Sequence, residues 1–114
     1  MIVDDHRGFR RFARRLLEAE GFEVVGEAVD GADAIAKVRA LRPRLVLLDI
    51  RLPDIDGFAV ADRLALELDR PLVVLVSSRE AGDFGPRLAR SSAHGFLHKG
   101  ELSGRSLTAL IEPR

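Results

Sequence analysis

A doubly wound α/β sandwich, with a parallel sheet covered by helices on both faces, is the fold class predicted by two features of this sequence. Strand-like apolar runs alternate with segments of helical period in five successive units along 114 residues, the pattern of βα repeats rather than of hairpins. The runs at residues 45–48 (Leu-Val-Leu-Leu) and 72–76 (Leu-Val-Val-Leu-Val) carry no polar interruption, as expected of strands buried on both sides.

Met1-Ile2-Val3 reads as a short first strand closing on Asp4-Asp5. Phe9, Phe12, Ala13, Leu16 and Leu17 then recur at the spacing of one helix face, and Gly21 stops that helix. Residues 22–28, rich in valine, predict the second strand. Asp30-Gly31 turns the chain into a helix with Ala34, Ile35, Val38 and Leu41 on one side, ended by Arg42-Pro43. The third strand closes on Asp49. A loop, Leu52-Pro53-Asp54-Ile55-Asp56-Gly57, leads to a helix whose inner face carries Phe58, Ala61, Leu64, Ala65 and Leu68. The fourth strand closes on Ser77-Ser78, and a Gly- and Ser-bearing segment with a short helix around residues 86–90 follows. Gly95-Phe96-Leu97-His98 is the last strand, closing on Lys99; Leu107, Leu110 and Ile111 mark a final helix with Ser103 as its N-cap.

Composition narrows the function. Hydrophobic residues make up 46% and charged residues 32%, the balance of one ordinary globular domain, here residues 1–114, with no second domain expected. Lys plus Arg and Asp plus Glu number 18 each, so no global field draws the chain to nucleic acid or anionic lipid, and charged function must be local. The absence of cysteine removes disulfides, thiolate metal sites and cysteine nucleophiles, and makes a reducing cytoplasm the simplest compartment. No apolar stretch approaches the ~20 residues of a membrane span, and no secretory signal core opens the chain.

In open parallel α/β sheets ligands bind beyond the carboxyl ends of the strands, and that is where the chemistry-bearing residues collect. Asp4 and Asp5 end the first strand, Asp49 the third, Ser77 the fourth and Lys99 the fifth. Singly they are ordinary: an acidic pair caps helices, a terminal Ser makes turns, a Lys is solvated. Placed together at four strand ends they are hard to assign to capping. Three carboxylates in one place repel one another unless a cation neutralises them. Mg²⁺ suits them, because it takes oxygen ligands and is held by one or two carboxylates plus a phosphate oxygen. Asp5 and Asp49 are the expected direct ligands and Asp4 a ligand through water. An oxygen of Asp49 can then attack a phosphoryl donor in line to give an aspartyl phosphate, with Lys99 adding positive charge to the phosphoryl group and Ser77 a hydrogen bond.

His6 adjoins the acidic pair, but Mg²⁺ prefers oxygen, and a lone His argues against zinc. Arg7, Arg10, Arg11, Arg14 and Arg15 form a stripe opposite the apolar face of the first helix. The plain reading is a soluble helix face; the second is docking to an acidic partner.

With these residues in hand, the sequence resembles the receiver domains of two-component response regulators. The residues that carry the resemblance are Ile2-Val3-Asp4-Asp5-His6, the stretch from Leu47-Leu48-Asp49 through Leu52-Pro53-Asp54-Ile55-Asp56-Gly57, and Gly95-Phe96-Leu97-His98-Lys99. Residues 18–28 are further similar to receivers of regulators with a helix-turn-helix output domain. The resemblance implies strand order 2-1-3-4-5 and a histidine kinase or phosphotransfer protein as phosphoryl source. It also implies phosphorylation of Asp49, the Arg51 carbonyl as a further metal ligand, and Ser77 with Phe96 as the switch pair coupling the site to an output face. It makes the chain a phosphoacceptor rather than an enzyme with its own turnover, and a homodimer on phosphorylation is one implied outcome.

Two departures stand out. Gly100 follows Lys99 where the family usually has Pro, so that rigid turn is not assumed. The first strand lacks a few apolar residues, which predicts poor pairing of an interior strand and a natural start upstream of Met1. Arg51 and Arg79, two residues beyond Asp49 and Ser77, are expected to favour the phosphorylated state. The alternative function is a receiver-like interaction module that works without phosphorylation. A flavin carrier or a Mg²⁺-dependent phosphatase of this fold fits less well, because Asp4-Asp5 stand where a flavin phosphate needs a Ser- or Gly-rich loop and lack a spaced Asp-x-Asp arrangement.

Overall fold

Parallel strands cannot be joined by hairpins, so each strand of this chain hands over to a helix that crosses back along the sheet. A computed structural model describes residues 1–112. Its strands are β1 (Ile2–Val3), β2 (Glu27–Ala28), β3 (Leu45–Asp49), β4 (Leu72–Ser77) and β5 (Gly95–His98). Its helices are α1 (Arg7–Ala19), α2 (Gly31–Leu41), α3 (Gly57–Leu64), α4 (Pro86–Arg90) and α5 (Gly104–Ile111), with 3₁₀ turns at Ala81–Phe84 and Lys99–Glu101. All strand pairs are parallel and the order is β2-β1-β3-β4-β5, as the resemblance implied.

The unbroken apolar runs serve two cores. Val46 and Leu48 of β3 and Val73 and Leu75 of β4 point to one face, where they meet Ala34 and Val38 of α2, Phe58, Ala61 and Leu64 of α3, and Leu88 of α4. Leu47, Val74 and Val76 point to the other, against Ala13 and Leu17 of α1 and Leu107 of α5. Alternate side chains of one strand point to opposite faces, so a run without polar residues is what two covered faces require. Burying each such side chain contributes about 1.5–3 kcal/mol.

Four expectations are corrected. The second strand was expected over residues 22–28, but only Glu27–Ala28 pairs, because β1 offers just Ile2 and Val3 as partners. Phe22 and Val24 still pack against the α1/α5 core without joining the ladder. The short first strand, expected to pair poorly, is bridged on both sides: Ile2 N–H donates to Gly26 O (3.2 Å), Asp4 N–H to Ala28 O (3.0 Å), and Leu47 N–H to Met1 O (2.9 Å). Both β1 side chains are fully buried, so central position offsets shortness. The third helix ends at Leu64, leaving Leu68 at 97% exposure rather than on the inner face. Phe12, placed on the apolar face of α1 by spacing, is 53% exposed; it lies at the edge of that face against Phe9, ring centroids 6.3 Å apart.

Loop capping aims the ends of α2 and α3 at the carboxyl edge of the sheet. Asp30 accepts from Asp33 N–H (2.8 Å) as the N-cap of α2, and Asp54 reaches across from the β3–α3 loop to accept from Gly31 N–H (2.7 Å) and Ala32 N–H (2.9 Å). Asp56 caps α3 through Phe58 N–H (2.6 Å). Gly57 is needed for close approach: a Cβ there would stand 2.5 Å from the Asp49 carbonyl oxygen and 2.6 Å from Ile50 Cα. α3 therefore begins directly beneath the end of β3.

Candidate functional site

Asp4, Asp49 and Ser77 end buried strands, and they are the buried polar residues of the described chain, at 0%, 3% and 1% exposure. They sit there because each strand is apolar until its last carboxyl-side position, where the sheet stops and the helices splay. Asp5, His6, Asp49, Arg51, Ser77 and Lys99 all line a cavity of about 340 Å³ at this rim. The structure thus brings together the acids, hydroxyl and amine that the sequence placed at separate strand ends. A larger cavity, about 620 Å³, opens at the opposite end of the strands beside Met1. Its lining, including Leu17, Phe22, Val24, Leu45 and Ile111, has no such set of groups.

Lys99 determines the charge arrangement. Its Nζ donates to Asp4 Oδ2 at 2.7 Å and to Asp49 Oδ2 at 3.5 Å, and lies 4.3 Å over the Phe9 ring. The other Asp4 oxygen accepts from the His6 backbone N–H (2.7 Å) and lies 3.2 Å from His6 Nδ1. Asp49 Oδ1 accepts from the Arg51 N–H at 3.2 Å. Burial first, then the neighbouring Asp4 charge, pushes the Asp49 carboxyl up to about 6; Lys99 and the Arg51 amide act in the opposite direction. Ser77 Oγ accepts from Arg79 N–H at 3.0 Å, which leaves the hydroxyl proton to be donated to a ligand.

The donor set suits a hard divalent cation. Asp4, Asp5, His6 and Asp49 each offer a ligand atom, all within 4.8 Å of one another. Three carboxylates against the one Lys99 ammonium leave two negative charges, and oxygen donors dominate, which matches Mg²⁺. The residues present therefore fit the group the sequence implied.

Phe96 and Arg79 lie outside the lining of this rim cavity. Phe96 is half-buried against the α2/α3/α4 core, its ring 5.9 Å from Phe84, which lies 5.8 Å from Phe58. Arg51 and Arg79 also line an adjoining cavity of about 430 Å³ that includes Asp56 and Arg87. The arginine stripe is divided, which corrects the reading of one uniform basic face. Arg10 and Arg14 turn inward and share Glu27, at 3.0 and 2.7 Å, an arrangement that holds the Glu27 carboxyl low, mainly through Arg14. Arg7, Arg11 and Arg15 stay exposed.

The sequence reading missed Phe9 as a partner of Lys99, and His98. Nothing in a helical repeat distinguishes an aromatic that packs from one that also faces a cation. His98 neighbours Lys99 in the chain, which was the one available signal.

The family model for the response regulator receiver domain matches residues 1–112. The chain is 43% identical over 102 residues to the transcription regulator BvgA of Bordetella pertussis, a match covering 89% of this chain and 48% of that protein. It is 36% identical over 101 residues to the response regulator GacA of Pseudomonas protegens, covering 88% and 47%. The chain therefore spans about half the length of the curated relatives it matches. Among solved structures, the signal receiver domain of NarL from Mycobacterium tuberculosis superimposes with a TM-score of 0.86 at 31% identity, over 99% of this chain and 94% of that one. Among the described residues no helix is long and apolar enough to cross a membrane.

Proposed function

Because this chain belongs to the response regulator receiver domain family, we propose that it is a phosphoacceptor signalling module that takes a phosphoryl group onto Asp49 from a histidine kinase or phosphotransfer protein. The observation that carries the reading is Asp49 itself. It is an almost fully buried carboxylate at the end of β3, set among Asp4, Asp5 and Lys99, with a cavity open in front of it.

An Asp49 carboxylate oxygen forms the new bond to phosphorus while the bond from phosphorus to the donor nitrogen breaks, its electron pair staying with the donor. With its carboxyl at about 6, Asp49 is mostly ionised at neutral pH and so is available as the nucleophile. Asp5 and Asp49, with Asp4 through water and the Arg51 carbonyl, are the proposed holders of Mg²⁺. Bound there, the ion supplies neutralisation of the carboxylates and of the transferring phosphoryl charge. Lys99 is a mobile ammonium on a flexible stem, held by Asp4 until a phosphoryl group on Asp49 offers it new oxygens. Ser77 donates its free hydroxyl proton to another of those oxygens.

Movement of Ser77 toward the phosphoryl group, with repacking of Phe96 against Phe84, is the proposed route to an output surface. The exposed Arg7, Arg11 and Arg15 of α1 are a proposed contact for an acidic region of the phosphodonor. A homodimer is a proposed consequence of phosphorylation, and the cytoplasm, where such donors operate, is the proposed location.

The test is incubation of the purified chain with acetyl phosphate, with Mg²⁺ or with EDTA, followed by intact mass measurement. Gain of one phosphoryl group only with Mg²⁺ is expected. No gain in either condition would favour an interaction module that functions without phosphorylation.

A further inference from the structure

The two groups proposed to meet the phosphoryl oxygens stand on neighbouring strands, Ser77 at the end of β4 and Lys99 just after β5, with Ser77 in register with His98. Beyond them both chains leave the sheet, so nothing in the ladder fixes how far apart the two loops stand. The His98 ring spans them. Its Nδ1 accepts from the Gly100 backbone N–H at 2.9 Å, and its Nε2 lies 2.9 Å from the Ser78 carbonyl oxygen.

A neutral imidazole has one donor and one acceptor nitrogen. The two contacts here require opposite roles: Nδ1 faces an N–H and must accept, while Nε2 faces a carbonyl and must donate. The pair of bonds therefore selects the Nε2–H tautomer and leaves neither nitrogen unpaired. The position after Lys99 is adapted to the ring. A Cβ on Gly100 would stand 3.0 Å from Nδ1 and 3.2 Å from Cε1, so a side chain there would push the ring away. Gly100 also keeps the N–H that a proline would lack.

We propose that His98 is a positioning residue for the phosphoacceptor site: its ring ties the loop after Ser77 to the turn carrying Lys99, taking the place of a rigid proline turn. The role rests on the phosphoacceptor reading, since it concerns how Lys99 and Ser77 are presented to Asp49. One side chain sets the spacing between the two phosphate-facing loops, and either bond alone would leave one loop free.

Three substitutions separate the two arms. His98→Asn keeps an acceptor near the place of Nδ1, His98→Gln keeps a donor near the place of Nε2, and His98→Leu keeps bulk but neither bond. ¹⁵N NMR of the wild-type chain reports the tautomer, amide exchange reports the Gly100 bond, and the Lys99 side-chain ¹⁵N signal reports where the ammonium sits. Phosphorylation by acetyl phosphate with Mg²⁺ reports the consequence. The expected pattern is an Nε2–H tautomer, a protected Gly100 amide lost in His98→Leu and regained in His98→Asn, and a shifted Lys99 signal in His98→Leu. The phosphorylation rate should fall roughly tenfold in His98→Leu, which loses both bonds, and less in the other two, which each lose one. An Nδ1–H tautomer, or a His98→Leu chain phosphorylated at the wild-type rate, would overturn the proposal. Should His98→Leu fail to fold, the tautomer and the Asn and Gln variants decide it. Should the wild-type chain take no phosphoryl group, the phosphoacceptor reading fails, while the NMR results still decide whether the ring bridges the loops.

Discussion

Lys99 donates to Asp4 across 2.7 Å, joining residues 95 positions apart in the chain, with Asp4 wholly out of solvent. The ammonium thus supports the fold of the free chain. A buried carboxylate that loses its partner keeps its desolvation cost without the compensating attraction. Lys99→Met, which preserves the packing of the stem, should destabilise the metal-free protein by about 3 kcal/mol in urea unfolding. Added Mg²⁺ should recover part of that loss by supplying charge to the same acids.

Asp49 makes the metal-free protein less stable as it ionises. Its carboxyl is raised from 3.8 to about 6 in the folded chain, so folding favours the protonated form. The stabilisation is fully present below the unfolded value of 3.8 and is lost as pH rises through 6. Asp49→Asn removes this dependence. The variant should therefore match wild type near pH 4 and exceed it at pH 7.5, by about 2 to 3 kcal/mol in the absence of divalent ions. Denaturant midpoints of both proteins at the two pH values check this, and equal differences at the two values would contradict it.

Gly57→Ala tests the close contact under Asp49, the proposed phosphoacceptor. The added methyl meets backbone, at 2.5 Å from Asp49 O and 2.6 Å from Ile50 Cα, and backbone cannot swing aside as a long side chain can. A loss of about 1–3 kcal/mol is expected, together with slower phosphorylation, because α3 must shift away from Asp49. Gly8→Ala, in the first turn of α1 where a Cβ meets nothing within 4 Å, serves as the control: it should leave the phosphorylation rate nearly unchanged and raise stability by up to about 1 kcal/mol, because alanine is the better helix former.

Phe9 holds Lys99 through its ring face, 4.3 Å from Nζ. A cation over an aromatic face gains about 0.5–1 kcal/mol at a partly exposed site. Phe9→Leu keeps an apolar side chain but not the quadrupole, and should slow phosphorylation by acetyl phosphate about two- to fivefold, while Phe9→Tyr should stay near wild type. Equal rates for Leu and Phe would show that the ring acts only in packing.

The main lines of the fold were legible because side-chain alternation and helical spacing are local properties. The runs at residues 45–48 and 72–76 announced two covered faces, and β3 and β4 supply both cores. Where pairing partners decided the outcome, local pattern was insufficient. Residues 22–26 have strand-like composition, yet they lie outside β2 because β1 presents only Ile2 and Val3 to pair with. Leu68 continues the helical spacing of α3, but the helix has ended and the side chain is exposed.

The rim was legible in its members and not in its wiring. Asp4, Asp5, Asp49, Ser77 and Lys99 could be placed at strand ends from the sequence, since the apolar runs stop at them. That Lys99 lies closer to Asp4 than to Asp49, or that Arg10 and Arg14 turn to Glu27 rather than outward, depends on three-dimensional neighbours without a sequence signature. The His98 bridge is of the same kind, since its partners, Ser78 and Gly100, contribute backbone groups that every residue other than proline has.

Chemical mapping of the acceptor tests the central reading most directly. After treatment with acetyl phosphate and Mg²⁺, borohydride reduces an aspartyl phosphate to homoserine, and peptide sequencing by mass spectrometry locates the converted residue. Homoserine at position 49, absent without Mg²⁺ and absent in Asp49→Asn, is the expected result. Conversion at Asp4, Asp5 or another acid instead, or none at all under conditions in which the folded protein binds Mg²⁺, would contradict Asp49 as the phosphoacceptor.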